Sequence, residues 1–271
     1  MTPSLIYGTA WKEDETSRLV RLALDAGFRA IDTANQRRHY HEAGVGEALA
    51  QAFAAGLKRE DLFLQTKFTN IDGQDQRLPY EAGAPVASQV EQSIESSLKH
   101  LGVDRLDSYV LHGPTMRRGL GAEDWEAWRA MEAAQKAGKT RALGVSNVSL
   151  EQLEEFHAKA AVKPSIVQNR CFAVNGWDRA IRSYCRAHGI AYQGFSLLNA
   201  NPQALRDPYV HELAKRLGRT IPQVIYRFAH EIGMVVLTGA TNPEHMAQAL
   251  RILDFELPPE ALEAIESLSL R

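Results

Sequence analysis

Short apolar runs alternate with stretches of helical periodicity along the whole sequence. Most of the runs are continuously apolar, which is typical of parallel strands that other elements cover on both faces. Eight such strands are predicted, at Leu5–Thr9, Arg29–Thr33, Leu62–Phe68, Leu106–His112, Arg141–Ser146, Ile166–Asn169, Ala191–Ser196 and Met234–Thr238. Eight strand–helix units in a chain of this length favour a single (β/α)8 barrel, the TIM fold, over a doubly wound sheet.

The segments between the predicted strands have the spacing of amphipathic helices. Ser17–Ala26 and Ser88–Leu101 each gather their leucine, valine and isoleucine side chains on one face. Gly27 and Gly102 stand where these helices would end, since glycine takes the left-handed cap conformation without steric cost. No linker, low-complexity tract or block of charge interrupts the alternation, so residues 1–271 are predicted to form one domain.

The charge balance narrows the kinds of partner. Lys and Arg number 31 against 33 for Asp and Glu, a net charge of -2, whereas a nucleic-acid binder needs a large cationic excess. No window reaches the roughly 18 apolar residues of a membrane helix, and no signal peptide is evident. We therefore expect a small-molecule ligand, no nucleic-acid or membrane partner, a monomer and a cytoplasmic location, with Cys171 and Cys185 as reduced thiols.

Polar side chains end three of the predicted strands. Asp32, Lys67 and His112 each follow an apolar run, and Tyr40 lies in the loop after Asp32. Taken singly, Asp32 is as well explained as a helix cap, Lys67 as a solvated lysine and His112 as a structural histidine. In a parallel barrel, however, the carboxyl ends of the strands meet at one rim, where active sites form.

The chemistry of these four side chains fits the reduction of a carbonyl group. A tyrosine with an ordinary pKa of about 10 is a weak acid at neutral pH, and we expect a buried Lys67 ammonium to lower that pKa. Asp32 would hold Lys67 charged, and His112 would hydrogen-bond the carbonyl oxygen. The hydride must come from a cofactor, because no protein side chain supplies one.

The motifs around these residues resemble those of the aldo-keto reductase family. The similarity runs from about Ile6 to about Leu250, in family order and spacing. It is carried by Asp32-Thr33-Ala34 with Tyr40, Val45-Gly46-Glu47-Ala48-Leu49, Thr66-Lys67, Leu111-His112, Gly144-Val145-Ser146-Asn147 and Gln168-Asn169.

The resemblance implies a (β/α)8 reductase in which Tyr40 is the general acid, assisted by Lys67 and Asp32, while His112 orients the substrate. It implies NADP(H) as the default cofactor, with Ser146, Asn147 and Gln168 on the nicotinamide carboxamide and Phe195 stacked on the ring. The implied cofactor contacts are Thr9, Asp32, Ser146, Asn147, Gln168, Phe195, Ser196, Leu197, Leu198, Thr238, Gly239, Ala240, Thr241, His245 and Gln248. The implied substrate contacts are Trp11, Tyr40 and His112.

The sequence departs from the family pattern near the cofactor's 2′-phosphate. Members that prefer NADPH commonly place a Lys and an Arg where this chain has Thr238 and His245, so use of NAD(H) stays open. The loops Gly113–Asp124 and Asn199–Asp207 are expected to line the substrate pocket, and Asn70–Pro85 to form a long active-site loop. The chain ends at Arg271, soon after its last predicted helix, so we expect an open pocket.

Two other functions fit parts of the sequence. A cofactor-binding regulatory subunit on the same fold could retain all four polar residues. A metal-dependent barrel hydrolase would use His39 and His41, which flank Tyr40 in a His-x-His pattern, but the later strand ends offer no further cluster of ligands. The sequence therefore predicts no metal.

Overall fold

The computed structural model of the protein describes residues 3–270, in which eight parallel strands close into a barrel. Each strand pairs with its neighbour in sequence order, and the first pairs with the last through Tyr7 and Thr238. The strands are β1 Leu5–Gly8, β2 Ala30–Asp32, β3 Phe63–Phe68, β4 Leu106–Leu111, β5 Thr140–Ser146, β6 Ile166–Arg170, β7 Ala191–Phe195 and β8 Met234–Thr238. The (β/α)8 prediction is confirmed.

Helices surround the barrel and bury their apolar faces against it. Those of the described chain are α1 Thr16–Ala26, α2 Glu42–Ala54, α3 Val86–Leu101, α4 Ala122–Lys136, α5 Leu150–Lys159, α6 Arg179–Ala187, α7 Pro202–Arg206, α8 Pro208–Leu217, α9 Ile221–Glu231, α10 Pro243–Leu250 and α11 Pro259–Glu266. Gly27 and Gly102 end α1 and α3 with positive φ angles of 117° and 65°, as their positions predict. None of the helices in residues 3–270 is both long and apolar enough to span a membrane.

Four predicted strands are too long by one residue at the barrel mouth. Thr9, Thr33, His112 and Ser196 follow the observed strands instead of ending them. The backbone N–H groups of the first three still donate to a neighbouring strand, at 3.0, 2.9 and 2.8 Å. These residues thus belong to the rim, where the pairing of parallel strands gives way to loops.

The interior of the barrel has an apolar layer below a polar one. Ile6, Ala30 and Val235 form the apolar layer with Phe63 packed against them. Above them lie the buried side chains of Asp32, Gln65, Lys67, Gln168 and Gln193. Because buried polar groups need hydrogen-bond partners, this layer is connected internally and fixes the floor of the mouth.

The segment Asn70–Pro85 is a long loop, as predicted, but it is held against the outside of the barrel mouth. Gln74 donates to the carbonyl oxygens of Asn35 and Thr69 at 2.9 and 3.3 Å, and Tyr80 donates to that of Thr69 at 2.7 Å. Ile71–Gly73 forms a short 3-10 turn. These contacts fix the end of β3.

Candidate active site

Two cavities open at the carboxyl ends of the strands and share the walls made by Trp11, Phe195 and Ser196. The Tyr40 cavity has a volume of about 760 Å³ and contains Asp32, Tyr40 and His112 in its walls. The Lys12 cavity, of about 460 Å³, lies between β1, the loop after β7 and the start of α10. Together they form a continuous groove across the mouth of the barrel.

A fully buried ion pair lies beneath the Tyr40 cavity. The Lys67 Nζ atom is 2.7 Å from both carboxylate oxygens of Asp32 and donates to the Thr33 carbonyl oxygen at 2.8 Å. The side chains of Lys67 and Asp32 are 0% and 3% exposed. Burial lowers the pKa of Lys67 and the adjacent Asp32 carboxylate opposes this. The pair therefore places an amine and a carboxylate in a site with almost no solvent-exposed surface.

Two glutamines donate further hydrogen bonds to the Asp32 carboxylate. The amide groups of Gln65 and Gln168 donate to Asp32 Oδ1 at 2.7 and 3.0 Å, and both also donate to Gln193 Oε1, at 2.8 and 2.9 Å. Gln193 in turn donates to Gln65 Oε1 at 3.0 Å. The sequence analysis missed Gln65 and Gln193. Their signal is a polar residue inside an otherwise apolar strand, at an inward-facing position.

Tyr40 lies over the ion pair, with its ring centre 5.2 Å from Lys67 Nζ. Burial, reinforced by the Asp32 charge, raises the pKa of Tyr40 well above its ordinary value. The expected lowering of this pKa is not found, because burial of the phenol and the nearby Asp32 carboxylate both disfavour the phenolate. The phenol is therefore neutral at physiological pH and keeps a proton that it could donate.

His112 faces Tyr40 across the cavity, with the two ring centres 5.9 Å apart. Its Nδ1 atom is 2.7 Å from the Thr69 hydroxyl oxygen. Burial, with the positive charge of Lys67, lowers the pKa of His112 to about 3. The imidazole is therefore neutral at physiological pH. Thr69 is a contact that the sequence analysis missed.

The three residues assigned to the nicotinamide carboxamide lie together at the ends of β5 and β6. Ser146 Oγ donates to the Gln168 carbonyl oxygen at 2.5 Å, while Asn147 Nδ2 donates to the His112 carbonyl oxygen at 2.8 Å. Asn147 has a positive φ of 55°, a conformation that costs a non-glycine residue free energy and is common at functional sites. All three line the Tyr40 cavity.

The residues assigned to the rest of the cofactor gather in the walls of the Lys12 cavity. Its walls include Phe195, Ser196, Leu197, Leu198, Thr238, Gly239, Ala240, Thr241, His245 and Gln248. Thr9 lines neither cavity; it is buried, and its hydroxyl donates to the Asp32 carbonyl oxygen at 3.0 Å. The Thr9 assignment thus has no geometric support. The Thr238 hydroxyl faces α9, where it accepts from Tyr226 Oη at 3.2 Å.

Lys12 is a further residue that the sequence analysis missed. Its side chain is 6% exposed, its Nζ donates to the Gly239 carbonyl oxygen at 2.9 Å, and burial lowers its pKa to about 8. The next residue toward the N-terminus, Trp11, is 70% exposed and its ring centre is 4.0 Å from that of His39. Trp11 borders both cavities, which agrees with its predicted place in the substrate pocket.

The walls of the Tyr40 cavity differ from the predicted ones. Within residues 3–270 they include none from Gly113–Asp124, Asn199–Asp207 or Asn70–Pro85. The segments that follow β5 and β6 supply Val148, Ser149, Phe172, Asn175 and Asp178 instead, next to Arg170 at the end of β6. The β6 segment reaches the cavity because Gly176, Trp177 and Asp178 all adopt positive φ angles, which turn the chain back over the mouth.

The alternatives drawn from other residues have no geometric support. In the part of the chain that the structure describes, no three His, Cys, Asp or Glu side chains are placed to hold a metal ion. His41 Nδ1 lies 3.3 Å from the Glu13 carbonyl oxygen, and His39, but not His41, lines the Tyr40 cavity. Cys171 and Cys185 are buried and form no disulfide.

The closed parallel barrel carries Tyr40, Lys67, Asp32 and His112 at its mouth. This is the arrangement that the sequence analysis expects of a carbonyl reductase. The family model described as "Aldo/keto reductase family" matches residues 4–270, so the chain belongs to that family. The predicted family, fold and enzyme class are confirmed.

The matches to related proteins cover most of this chain and most of each relative. The oxidoreductase YtbE of Bacillus subtilis is 32% identical over 256 residues, which cover 94% of this chain and 84% of that one. A glyoxal reductase of the same species is 31% identical over 258 residues, with the same coverage. The crystal structure of a Bombyx mori aldo-keto reductase in complex with NADP is 27% identical, with a TM-score of 0.83 and coverage of 98% and 89%.

Proposed function

We propose that this protein reduces small aldehydes and ketones to alcohols with NADPH, and that Tyr40 donates the proton. The observation that carries the proposal is the meeting, in one cavity, of a neutral phenol and a neutral imidazole above the buried Lys67–Asp32 pair. The similarity to a glyoxal reductase and to an NADP-bound relative supports the reaction and the cofactor. We also propose, from the sequence, that it acts as a monomer in the cytoplasm.

The two cavities fit a nicotinamide dinucleotide. An extended dinucleotide would lie across the shared Trp11 and Phe195 walls, with its phosphates beside Lys12 and the N-terminus of α10. Ser146, Asn147 and the free oxygen of the Gln168 amide would hold the carboxamide. Bound NADPH supplies the hydride.

The chain's own residues handle the proton and the charge on oxygen. As a carbonyl carbon accepts hydride, its oxygen becomes an alkoxide, which is a much stronger base than a phenolate. Tyr40 therefore transfers its proton readily even with a raised pKa, and the positive charge of Lys67 stabilises the phenolate that remains. The 2.7 Å contact between the Thr69 hydroxyl and His112 Nδ1 allows the hydroxyl to donate, in which case the ring proton is on Nε2 and would hydrogen-bond the same oxygen.

The proposal is tested by titrating the protein with NADPH and NADH while following tryptophan fluorescence, then measuring cofactor oxidation with a panel of aldehydes. Exposed Trp11 lies in the shared wall, so a Trp11→Phe variant should lose most of the quenching. Binding with turnover supports the reductase, and the ratio of the two affinities shows what Thr238 and His245 contribute. Binding without turnover on any carbonyl favours the regulatory subunit, and no binding contradicts both functions.

Cofactor affinity is expected to fall as the pH rises above about 8. The pKa of Lys12 is about 8 in the free protein, so its ammonium is charged below that pH and lost above it. A bound phosphate favours the charged form and raises this pKa, so affinity declines until the pH passes the higher value. The dissociation constant of NADPH measured from about pH 7 to about pH 10 checks this.

A Lys12→Met variant is the control for this pH dependence. It should bind NADPH more weakly than the wild type at about pH 7 and show little further loss as the pH rises. An equal decline in both proteins would assign the pH dependence to another group.

Removal of the Thr69 hydroxyl is expected to lower kcat/KM about tenfold, the effect of one lost hydrogen bond. In Thr69→Val, His112 loses the contact at Nδ1 and its neutral ring divides between two tautomers. Nitrogen NMR of the imidazole reports that tautomer directly. Thr69→Ser retains a hydroxyl and should behave as wild type, whereas equal activity in the valine variant would show that Thr69 does not position His112.

A further inference from the structure

The wall of the Tyr40 cavity contains an arginine that the proposed reaction does not use. Arg170 is the last residue of β6 and is paired in register with Phe195, the last residue of β7. Its side chain is exposed, and its guanidinium carbon lies 5.7 Å from the centre of the Phe195 ring. It therefore points toward the mouth, beside the ring assigned to the nicotinamide.

Arg170 has no carboxylate partner within 4.0 Å among the ion pairs of residues 3–270. Asp178, in the same wall, accepts from Tyr192 Oη at 2.7 Å and lies 3.4 Å from Asn169 Nδ2. The contacts of the Asp178 carboxylate are thus with Tyr192 and Asn169 and not with Arg170. The Arg170 guanidinium keeps its donors free for a ligand.

The other basic side chains at the cavity are two histidines and a lysine. Burial lowers the pKa values of His39 and His112, and Lys67 lies beneath the floor, paired with Asp32. Among the described residues of the cavity wall, Arg170 is the only lysine or arginine. It is therefore the group in this wall best suited to attract an anionic substrate.

We propose that Arg170 binds an anionic group of the substrate, so that the preferred substrates are short aldehydes or ketones carrying a carboxylate. A guanidinium presents paired N–H donors that match the two oxygens of a carboxylate. The carbonyl group would lie at Tyr40 and His112 while the carboxylate binds at the rim. This inference rests on the proposed function and specifies its substrate class.

The test compares 4-oxobutanoate with its methyl ester, which has the same aldehyde but no charge. The ratio of their kcat/KM values is measured for the wild type and for Arg170→Gln, Arg170→Lys and Arg216→Gln. Arg216 is exposed on α8, outside both cavities, so its variant matches the change in net charge without touching the site. The dissociation constant of NADPH is measured for each protein.

The wild type is expected to prefer the carboxylate about tenfold or more, the effect of a hydrogen bond to a charged group. That preference should vanish in Arg170→Gln, survive in part in Arg170→Lys, persist in Arg216→Gln and shrink as salt is added. Turnover of the ester without a preference for the acid would overturn this inference alone. A weaker NADPH affinity in Arg170→Gln would also overturn it, by making Arg170 a cofactor contact. Failure of both compounds to turn over, with turnover of other aldehydes in the panel, would also overturn this inference alone, whereas no turnover of any aldehyde would contradict the proposed reductase itself.

Discussion

Tyr40→Phe is expected to lower kcat for aldehyde reduction by about 10²–10⁴-fold, the usual contribution of a positioned general acid. The substitution removes only the hydroxyl, and the phenyl ring still fills the space 5.2 Å from Lys67 Nζ. Because the hydroxyl is proposed to act on the substrate oxygen, the NADPH dissociation constant should change little. Steady-state kinetics together with fluorescence titration measure both quantities.

A Tyr184→Phe variant is the matched control for this loss. Tyr184 lies on α6, where it stacks on His188 at a ring distance of 4.1 Å, outside both cavities. It should retain wild-type kinetics. Wild-type turnover by Tyr40→Phe would remove Tyr40 from the acid role and leave His112 to be tested in its place.

Lys67→Met is expected both to inactivate the protein and to lower its free energy of unfolding by about 3–5 kcal/mol. The substitution leaves the Asp32 carboxylate buried beside Gln65 and Gln168 without a counter-charge. An unpaired buried charge is strongly destabilising, whereas a neutral group in its place is not. Urea denaturation measures the change in stability, and the rate of NADPH oxidation measures the change in activity.

Two further variants separate the charge effect from the loss of packing. The double substitution of Asp32→Asn with Lys67→Met removes both charges, so it should recover much of the stability while staying inactive. Arg21→Met breaks the exposed Arg21–Asp25 pair and should cost about 0.2–1 kcal/mol. A double variant no more stable than Lys67→Met would show that the lost stability is due to packing.

The fold and the placement of the four polar residues could be predicted because both follow from topology. Continuous apolar strands at regular spacing predict a closed parallel barrel, and closure brings Asp32, Lys67 and His112 to one rim wherever they lie in the sequence. The two members of the Lys67–Asp32 pair, 35 positions apart, show this directly. Their roles in catalysis are still predictions.

The electrostatics and the walls of the cavity could not be predicted in the same way. The sequence shows that a lysine and a tyrosine share the rim, but the sign of the Tyr40 pKa shift depends on burial and on a carboxylate 2.7 Å from the amine. The cavity walls depend on how the chain turns after β6, where consecutive left-handed residues such as Trp177 and Asp178 are not evident from residue type. Thr69 and Lys12 were missed because a hydroxyl or an amine in a loop gives no periodic signal.

The polar layer inside the barrel also bears on how this protein could be divided or assembled. Asp32, on β2, is held by Gln168 on β6, which is 136 positions away, and the bridging Gln193 lies on β7. These bonds cross the lumen and join elements from both halves of the sequence, so neither half contains a complete set of donors for the carboxylate. Such long-range contacts form late, once the ends of the sheet have met. A half-length fragment would thus lack the complete set of hydrogen bonds around Asp32 even if its own strands paired. Two complementary fragments should regain this set only by reassembling into a full barrel.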